Sequence, residues 1–372
     1  MNIEDYLAQY ADIPFSESPF NEADSLVLCE FIYTDLRGLV PPGGSIGLRE
    51  LRNKYFRNHS KEELKKQTTY FARAPLMMDI MVPGARFGGM KVCNYVSILD
   101  DSAEVQMTAM TFMLGDGTAY VCYSGTDRSI SGWKEDFKFS YMKETEGQKL
   151  ATKYLTDAAG LTDRPLRVGG HSKGGNFAVY ASSFAGSSIQ DRITKVYTFD
   201  GPGFRDEITE TENYRRIVPK VVSMVPEESV IGQLLRHDFP DIVVKSSAAG
   251  ILQHDGFSWC ISDARFVRSK LSDDAGVFKA AQKDWLAKMD DRAREAFVTM
   301  LFAPLEATQM VTFDEIIEKR LEAAEKALRS LSGMTADERR AMRRFVQDLI
   351  ASCGMKALEK KLSMINERLS RD

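Results

Sequence analysis

A serine set between glycines at the end of an apolar run is the residue of this 372-residue chain best placed to attack a carbonyl. Leu166-Arg167-Val168 leads into Gly169-Gly170-His171-Ser172-Lys173-Gly174-Gly175, and a helix-compatible stretch follows from Asn176 to Phe184. That order predicts a strand, a sharp turn that exposes the serine hydroxyl, and a helix. Glycines flank the serine because any side chain there would collide with the neighbouring strand and helix. The start of the helix aims its dipole and its free N–H groups at the place where an oxyanion would form. The same expression occurs at Gly43-Gly44-Ser45-Ile46-Gly47, but Pro41 and Pro42 precede it. Proline lacks the donor that a central strand needs, so this copy reads as a loop leading into a helix. Ser172 is the candidate nucleophile.

A serine needs a base, and the chain has only four histidines. His59 precedes the sheet in a charged stretch. His171 lies in the turn itself, where its side chain is expected to point away from the serine. His237 ends a segment read as a short helix. His254 lies in a loop after the last strong strand, where the chain order serine, acid, histidine requires the base. Its structural alternative is a loop histidine bonded to Asp255. Three carboxylates compete to orient it. Asp200 ends a strand in Phe199-Asp200-Gly201-Pro202-Gly203, while Glu227 and Glu228 end the next strand after Pro226. A carboxylate in a glycine-rich turn is costly unless it has a task, which favours Asp200, although a turn aspartate also bonds its own backbone. For the oxyanion, one donor is the backbone N–H of Lys173. The second is expected from Ser124-Gly125-Thr126, where Thr126 offers an N–H and a hydroxyl.

These residues need a scaffold. Residues 1–85 read as mostly helical, with helices over Asn21 to Tyr33 and Leu48 to Phe56. Gly89 to Leu99, Val105 to Leu114 and Thr118 to Tyr123 read as strands, the last two joined at Gly115-Asp116-Gly117. One long helix fits Trp133 to Ala159, stopping at Gly160. After the serine turn, Ile193 to Phe199, Val221 to Val225 and Asp241 to Lys245 read as strands. Phe204 to Ile217 and Ser229 to Arg236 read as helices, and Phe257 to Ile261 as an added edge strand. Strands alternating with helices argue for a mixed, mainly parallel sheet with helices on both faces.

From about residue 275 the strand signals stop. Thr312-Phe313-Asp314-Glu315 and Thr335-Ala336-Asp337-Glu338 are capping boxes, and Gly333 and Gly354 sit where C-terminal caps belong. Ile317, Leu321, Ala324, Leu328 and Leu331 form one heptad-like seam, and Met355, Leu358, Leu362, Ile365 and Leu369 another. The chain therefore divides into a hydrolase-like part, 1–272, and a helical extension, 273–372. The seams fit packing on the body, self-association into a homo-oligomer, or peripheral contact with a membrane.

Composition narrows the function. Lys plus Arg total 49 against 53 for Asp plus Glu, a net charge of −4 that gives no case for nucleic acid. The five cysteines are dispersed without a CxxC pair, as expected of reduced thiols in a cytoplasmic protein. No apolar run approaches the length of a membrane span, and the first residues, Met1-Asn2-Ile3-Glu4-Asp5, lack a signal pattern.

Tyr123-Ser124-Gly125-Thr126, with Trp133 and Asp136 after it, resembles the class 3 (fungal-type) lipase pattern of an aromatic-Arg-Gly-Thr followed by Asp-Trp and Asp. Gly-His-Ser-Lys-Gly-Gly resembles that family's serine turn, and Thr198-Phe199 with Pro202 its next strand end. Residues 15–265, with Pro226 to Gly232, Gln253-His254-Asp255 and Trp259, resemble a bacterial family of lipase/esterase-like α/β-hydrolases. The resemblance implies an α/β-hydrolase fold, no cofactor, and a threonine in the oxyanion hole. Two departures stand: Ser124 replaces the class 3 arginine, and the class 3 acid position offers glutamate. Asp200-Gly-Pro-Gly is instead similar to the pancreatic-type lipases. The expected activity is cleavage of a small-molecule or lipid carboxylic ester through an acyl-enzyme on Ser172. The alternatives are thioester or peptide cleavage at the same site, and a hydrolase-fold scaffold with little catalysis.

Overall fold

The computed structural model describes residues 1–312 except 68, 128, 277–278 and 281–288, together with residues 315, 319, 322 and 326. Both heptad-like seams, Thr335 to Glu338, Gly333 and Gly354 lie outside the described residues. The N-terminal part holds helices α1 (Ile3–Tyr10), α2 (Glu22–Phe31), α3 (Leu48–Asn58), α4 (Lys61–Lys65), α5 (Tyr70–Leu76) and α6 (Met78–Met81). Asn2 and Asn21 start the first two, each with its side chain on two backbone N–H groups and an aspartate returning the bond.

One sheet of eight strands forms the centre, ordered as in the sequence. Strands β1 (Ser45–Gly47), β2 (Lys91–Asp100), β3 (Val105–Met113) and β4 (Ala119–Tyr123) pair antiparallel. Strands β5 (Leu166–His171), β6 (Ile193–Phe199), β7 (Val221–Pro226) and β8 (Asp241–Val244) continue in parallel from β4. A ribbon of β9 (Ile261–Ser262) and β10 (Arg265–Phe266) lies apart. With the helices below, this is the α/β-hydrolase fold.

The crossovers are α7 (Ile130–Lys138) and α8 (Glu146–Gly160) between β4 and β5, then α9 (Lys173–Phe184) and α10 (Ser187–Arg192), then α11 (Asp206–Thr209) and α12 (Glu212–Ile217). Strand β4 is buried along its whole length, and its period of two divides it between two cores. Ala119, Val121 and Tyr123 join Leu155, Phe177 and Tyr214 of the crossover helices. Tyr120 and Cys122 join Tyr6, Leu28 and Phe31 of the N-terminal helices, with Phe257 and Trp259 from near the end of the sheet. Strands paired in chain order send their packed crossover helices to one face. The N-terminal helices cover the other.

Several expected elements differ. The single helix from Trp133 to Ala159 is two helices. Thr145 and Gln148 form a capping box that starts α8, and the Glu135 carboxylate takes the Gly147 N–H at 2.9 Å. Phe204 to Ile217 is likewise split, because Thr211 caps a new start on Tyr214. Ser229 to Arg236 holds only the 3-10 turn Ile231–Gln233. Phe257 does not begin a strand, since Asp255 caps a 3-10 turn over Gly256–Ser258 and the short ribbon comes later. Ser45 lies in an edge strand rather than a loop, exposed and followed by α3 as expected.

Helix α13 (Asp291–Glu306) is a helix of the C-terminal extension. Its Phe297, Val298 and Phe302 pack on Ile130 and Phe137 of α7, the helix that follows Thr126. Lys134 bonds Glu306 at 2.5 Å, and the Ile130 N–H bonds the Val311 carbonyl at 2.9 Å. No described helix is long and apolar enough to cross a membrane.

Arg86 fastens the N-terminal cover. Its guanidinium meets the Asp24 carboxylate at 2.6 and 2.5 Å, and both side chains are fully buried. It also donates to the carbonyls of Ile13 and Ser18 at 3.0 Å. Removing one partner strands a buried charge. Arg86→Met is expected to lower unfolding free energy by about 3–5 kcal/mol, read from urea midpoints. A loss under about 1 kcal/mol would show that the pair is not the fastening.

Candidate active site

Ser172 directly follows β5 with φ 56° and ψ −130°, a backbone conformation that costs a non-glycine residue on the order of 1–3 kcal/mol. Packing holds it there. A Cβ on Gly170 would strike the backbone of Gly174, and one on Gly174 would strike the Tyr123 carbonyl. The Ser172 N–H donates to the Phe199 carbonyl at 2.9 Å, and its own carbonyl accepts from Gly175 at 2.8 Å. Lys173 is the first residue of α9, so its N–H has no partner one turn back.

At the end of the next strand, Asp200 also has positive φ, 49°. Its buried carboxylate has three donors. Oδ1 accepts from the Ser229 hydroxyl at 2.5 Å and from the Gly232 N–H at 3.0 Å. Oδ2 lies 2.6 Å from His254 Nδ1. A carboxylate takes the Nδ1 proton, which leaves Nε2 as an acceptor. The His254 side chain is 24% exposed, against 1% for Asp200.

The competing glutamates do other work. Glu228 accepts from the Gly250 N–H through Oε2, and its own N–H donates to the Gln253 side chain at 2.9 Å. It secures the segment that carries His254. Glu227 accepts from Ser269 at 2.5 Å. Among the described contacts neither carboxylate reaches His254. His59 stacks on Tyr55, with ring centroids 4.1 Å apart. His237 stacks on Phe239 in a loop rather than ending a helix.

The loop Ser124-Gly125-Thr126 lies directly on the serine. A Cβ at Gly125 would come within 2.9 Å of Ser172 Cβ and 2.8 Å of the His171 carbonyl. The Thr126 hydroxyl donates to Asp136 Oδ2 at 2.5 Å, while Asp136 Oδ1 is buried without a partner. Burial pushes the Asp136 carboxyl up to about 6, against the pull of Lys173 and of the Thr126 hydrogen bond. Next to it, the fully buried Lys173 ammonium lies 3.2 Å from Glu135, whose carboxylate also takes the Gln106 and Gly147 N–H groups. That pair ties α7 to the start of α9.

Four contributors escape a reading of the sequence. Ser229 and Gly232 serve Asp200 from a segment with a helical pattern. Tyr33 and His171 sit beneath the site, their side chains 2.8 Å apart. The sequence carries a signal only for His171, its place inside the serine turn. Among the described residues no group of three or more His, Cys, Asp and Glu could hold a metal ion.

Residues 81–303, more than half of the chain, match the Mbeg1-like family. No curated protein matches. Among solved structures the chain is similar to the Rhizomucor miehei lipase propeptide complex, at 17% identity and a TM-score of 0.31. That match covers 42% of this chain and 57% of the lipase chain. A fungal lipase–inhibitor complex is similar at 16% identity and a TM-score of 0.30, over 46% of this chain and 68% of that one.

Asp136 gives a pH test. Its folded-state value of about 6 stands above the ordinary 3.8, so the fold favours the neutral form. The penalty on stability is absent below about pH 4, grows from there to about pH 6, and is complete above it. Asp136→Asn is expected to match the wild type at pH 4 and to exceed it by up to about 3 kcal/mol at pH 8. Urea unfolding at both pH values measures this. An equal gap at the two would show that Asp136 does not titrate in that range.

Proposed function

The chain belongs to the Mbeg1-like family, a lipase-like family, and from the site at the end of β5 we propose that it is a serine hydrolase cleaving carboxylic esters. The 2.6 Å contact between His254 Nδ1 and Asp200 Oδ2, beside a serine held at positive φ, carries this reading. A histidine oriented in this way presents Nε2 as a base.

In the proposed route Ser172 Oγ bonds to the ester carbonyl carbon while its proton passes to His254 Nε2. The Asp200 carboxylate supports the imidazolium that forms. The oxyanion lies against the N–H groups of Lys173 and Thr126. Collapse breaks the bond to the alkoxy group, which leaves as the alcohol with the proton from His254. Water then attacks the acyl-enzyme, gives its proton to His254, and releases the acid as that proton returns to Ser172. While Asp136 is ionised, above about pH 6, the Thr126 hydroxyl hydrogen is committed to it, so the backbone N–H is the donor that Thr126 offers.

The test is hydrolysis of p-nitrophenyl esters of increasing chain length, with a fluorophosphonate probe to label the nucleophile. Ser172→Ala is expected to lose roughly 10⁶-fold in kcat and all labelling, while the exposed Ser45→Ala keeps both. Equal loss in the two variants, or a wild type that neither labels nor turns over any ester, would sink the proposal.

The acid can be assigned in the same assay. Asp200→Asn is expected to lose about 10⁴-fold, because the imidazole loses its tautomer and the support for its cation. Glu228→Gln should lose far less, since its contacts are to the backbone and Gln253. The opposite ranking, with circular dichroism showing both folded, would give the role to Glu228.

A further inference from the structure

Resting on the hydrolase reading of Ser172, we propose that Tyr33 and His171 are positioning residues that lock the oxyanion loop and the histidine loop into one geometry. Three hydrogen bonds run in a single direction between the two loops. The Gly125 N–H donates to Tyr33 Oη at 3.1 Å. Tyr33 Oη lies 2.8 Å from His171 Nδ1. His171 Nε2 lies 2.7 Å from the His254 backbone carbonyl.

Donor chemistry fixes every hydrogen. A carbonyl only accepts, so His171 Nε2 carries the proton. The neutral ring then has a lone pair on Nδ1, and the Tyr33 hydroxyl must donate to it. The hydroxyl oxygen is left to accept from Gly125. Burial agrees with these forms. It holds the His171 imidazole well below its usual range, and it pushes the Tyr33 phenol well above its own.

Both ends of the chain of bonds touch the proposed reaction. Gly125 precedes Thr126 and packs on Ser172 Cβ. His254 is the base, and its ring lies 4.6 Å from that of His171. Neither Tyr33 nor His171 is placed to touch a substrate, because both are buried. Tyr33 packs edge-on against Tyr70 and Phe71, at centroid distances of 4.7 and 5.5 Å. It is also the one member of the relay outside residues 81–303, so the N-terminal cover adds it to the family's part of the chain.

The test joins kinetics and NMR on the full chain. In the wild type, side-chain ¹⁵N shifts of His171 should report a single Nε2–H tautomer. Tyr33→Phe is expected to lower kcat for a p-nitrophenyl ester about 10- to 100-fold with KM within about twofold, since loosened loops cost transition-state contacts first. Fluorophosphonate labelling of Ser172 should slow by a similar factor, while the His254 carbonyl keeps the His171 proton on Nε2. His171→Gln keeps a donor for the His254 carbonyl and His171→Leu does not, so the Gln variant should retain at least about tenfold more kcat.

An Nδ1–H tautomer in the wild type would overturn the relay. So would a folded Tyr33→Phe protein with wild-type kcat, or equal kcat in the Gln and Leu variants. Should Tyr33→Phe fail to fold, the wild-type tautomer and the His171 pair decide. A wild type inactive and unlabelled would remove the hydrolase reading instead, and the tautomer alone would then decide the relay.

Discussion

A serine at φ 56° is a backbone state that the chain would leave if it were able to, and most of the structure follows from preventing that. Restraint comes from contact. Gly170 and Gly174 let strand and helix approach until no Cβ fits between them, and the Tyr123 carbonyl closes the other side. The Phe199 carbonyl then holds the Ser172 N–H from the next strand. Strands β4, β5 and β6 must therefore end level with one another. That places Gly125, Ser172 and Asp200 along one edge of the sheet, where ligands of open α/β sheets bind.

Strand order sets what this edge needs next. With neighbours paired in chain order and the crossover core on one face, the opposite face of β4 to β8 is apolar and has no covering helix of its own. Helices α1 and α2 supply it, fastened through the buried Arg86–Asp24 pair. The cover reaches further than packing requires. Tyr33 follows directly from α2 and arrives under both loops of the site. Helix α13 meets the site from the other direction, through Phe137 and Ile130 of α7. The segment after Thr126 is thereby held between α9, through Lys173 and Glu135, and the C-terminal extension.

What the sequence made legible was local. Runs rich in β-branched and aromatic residues marked the strands of the sheet, and Gly-x-Ser-x-Gly after an apolar run marked the turn. The helix read over Asn21 to Tyr33 was α2. The break after Phe139 was equally local, since Thr145-Glu146-Gly147-Gln148 is a capping box, but continuous helical periodicity masked it. Two other features lay beyond any local reading. Nothing near Glu228 says that its carboxylate will bond the Gly250 N–H while Asp200, 54 residues before His254, takes the imidazole. That choice depends on which strand end the loop of His254 folds back upon. Ser229 and Gly232 belong to a helical pattern that stays unformed because both are bonded to Asp200. Tyr33 had no signal because its partners lie 92 and 138 residues away.

One desolvated region contains four buried carboxyl groups, and their donors distinguish them. Asp200 has three donors, and Glu135 has two backbone N–H groups and an ammonium. Asp136 has a donor at one oxygen only, and burial raises it to about 6. Glu30, 3.9 Å from His171 Nδ1, has no hydrogen-bond partner at either oxygen, and burial drives its carboxyl well above the usual range. Donors offset the cost of burying charge, and burial raises the carboxyls of Asp136, which has one donor, and of Glu30, which has none. Neutral Glu30 then leaves neutral His171 without a charged neighbour on that side, and the imidazole keeps the tautomer that its two hydrogen bonds require. The cation formed during the proposed reaction is confined to His254, the ring that faces Asp200.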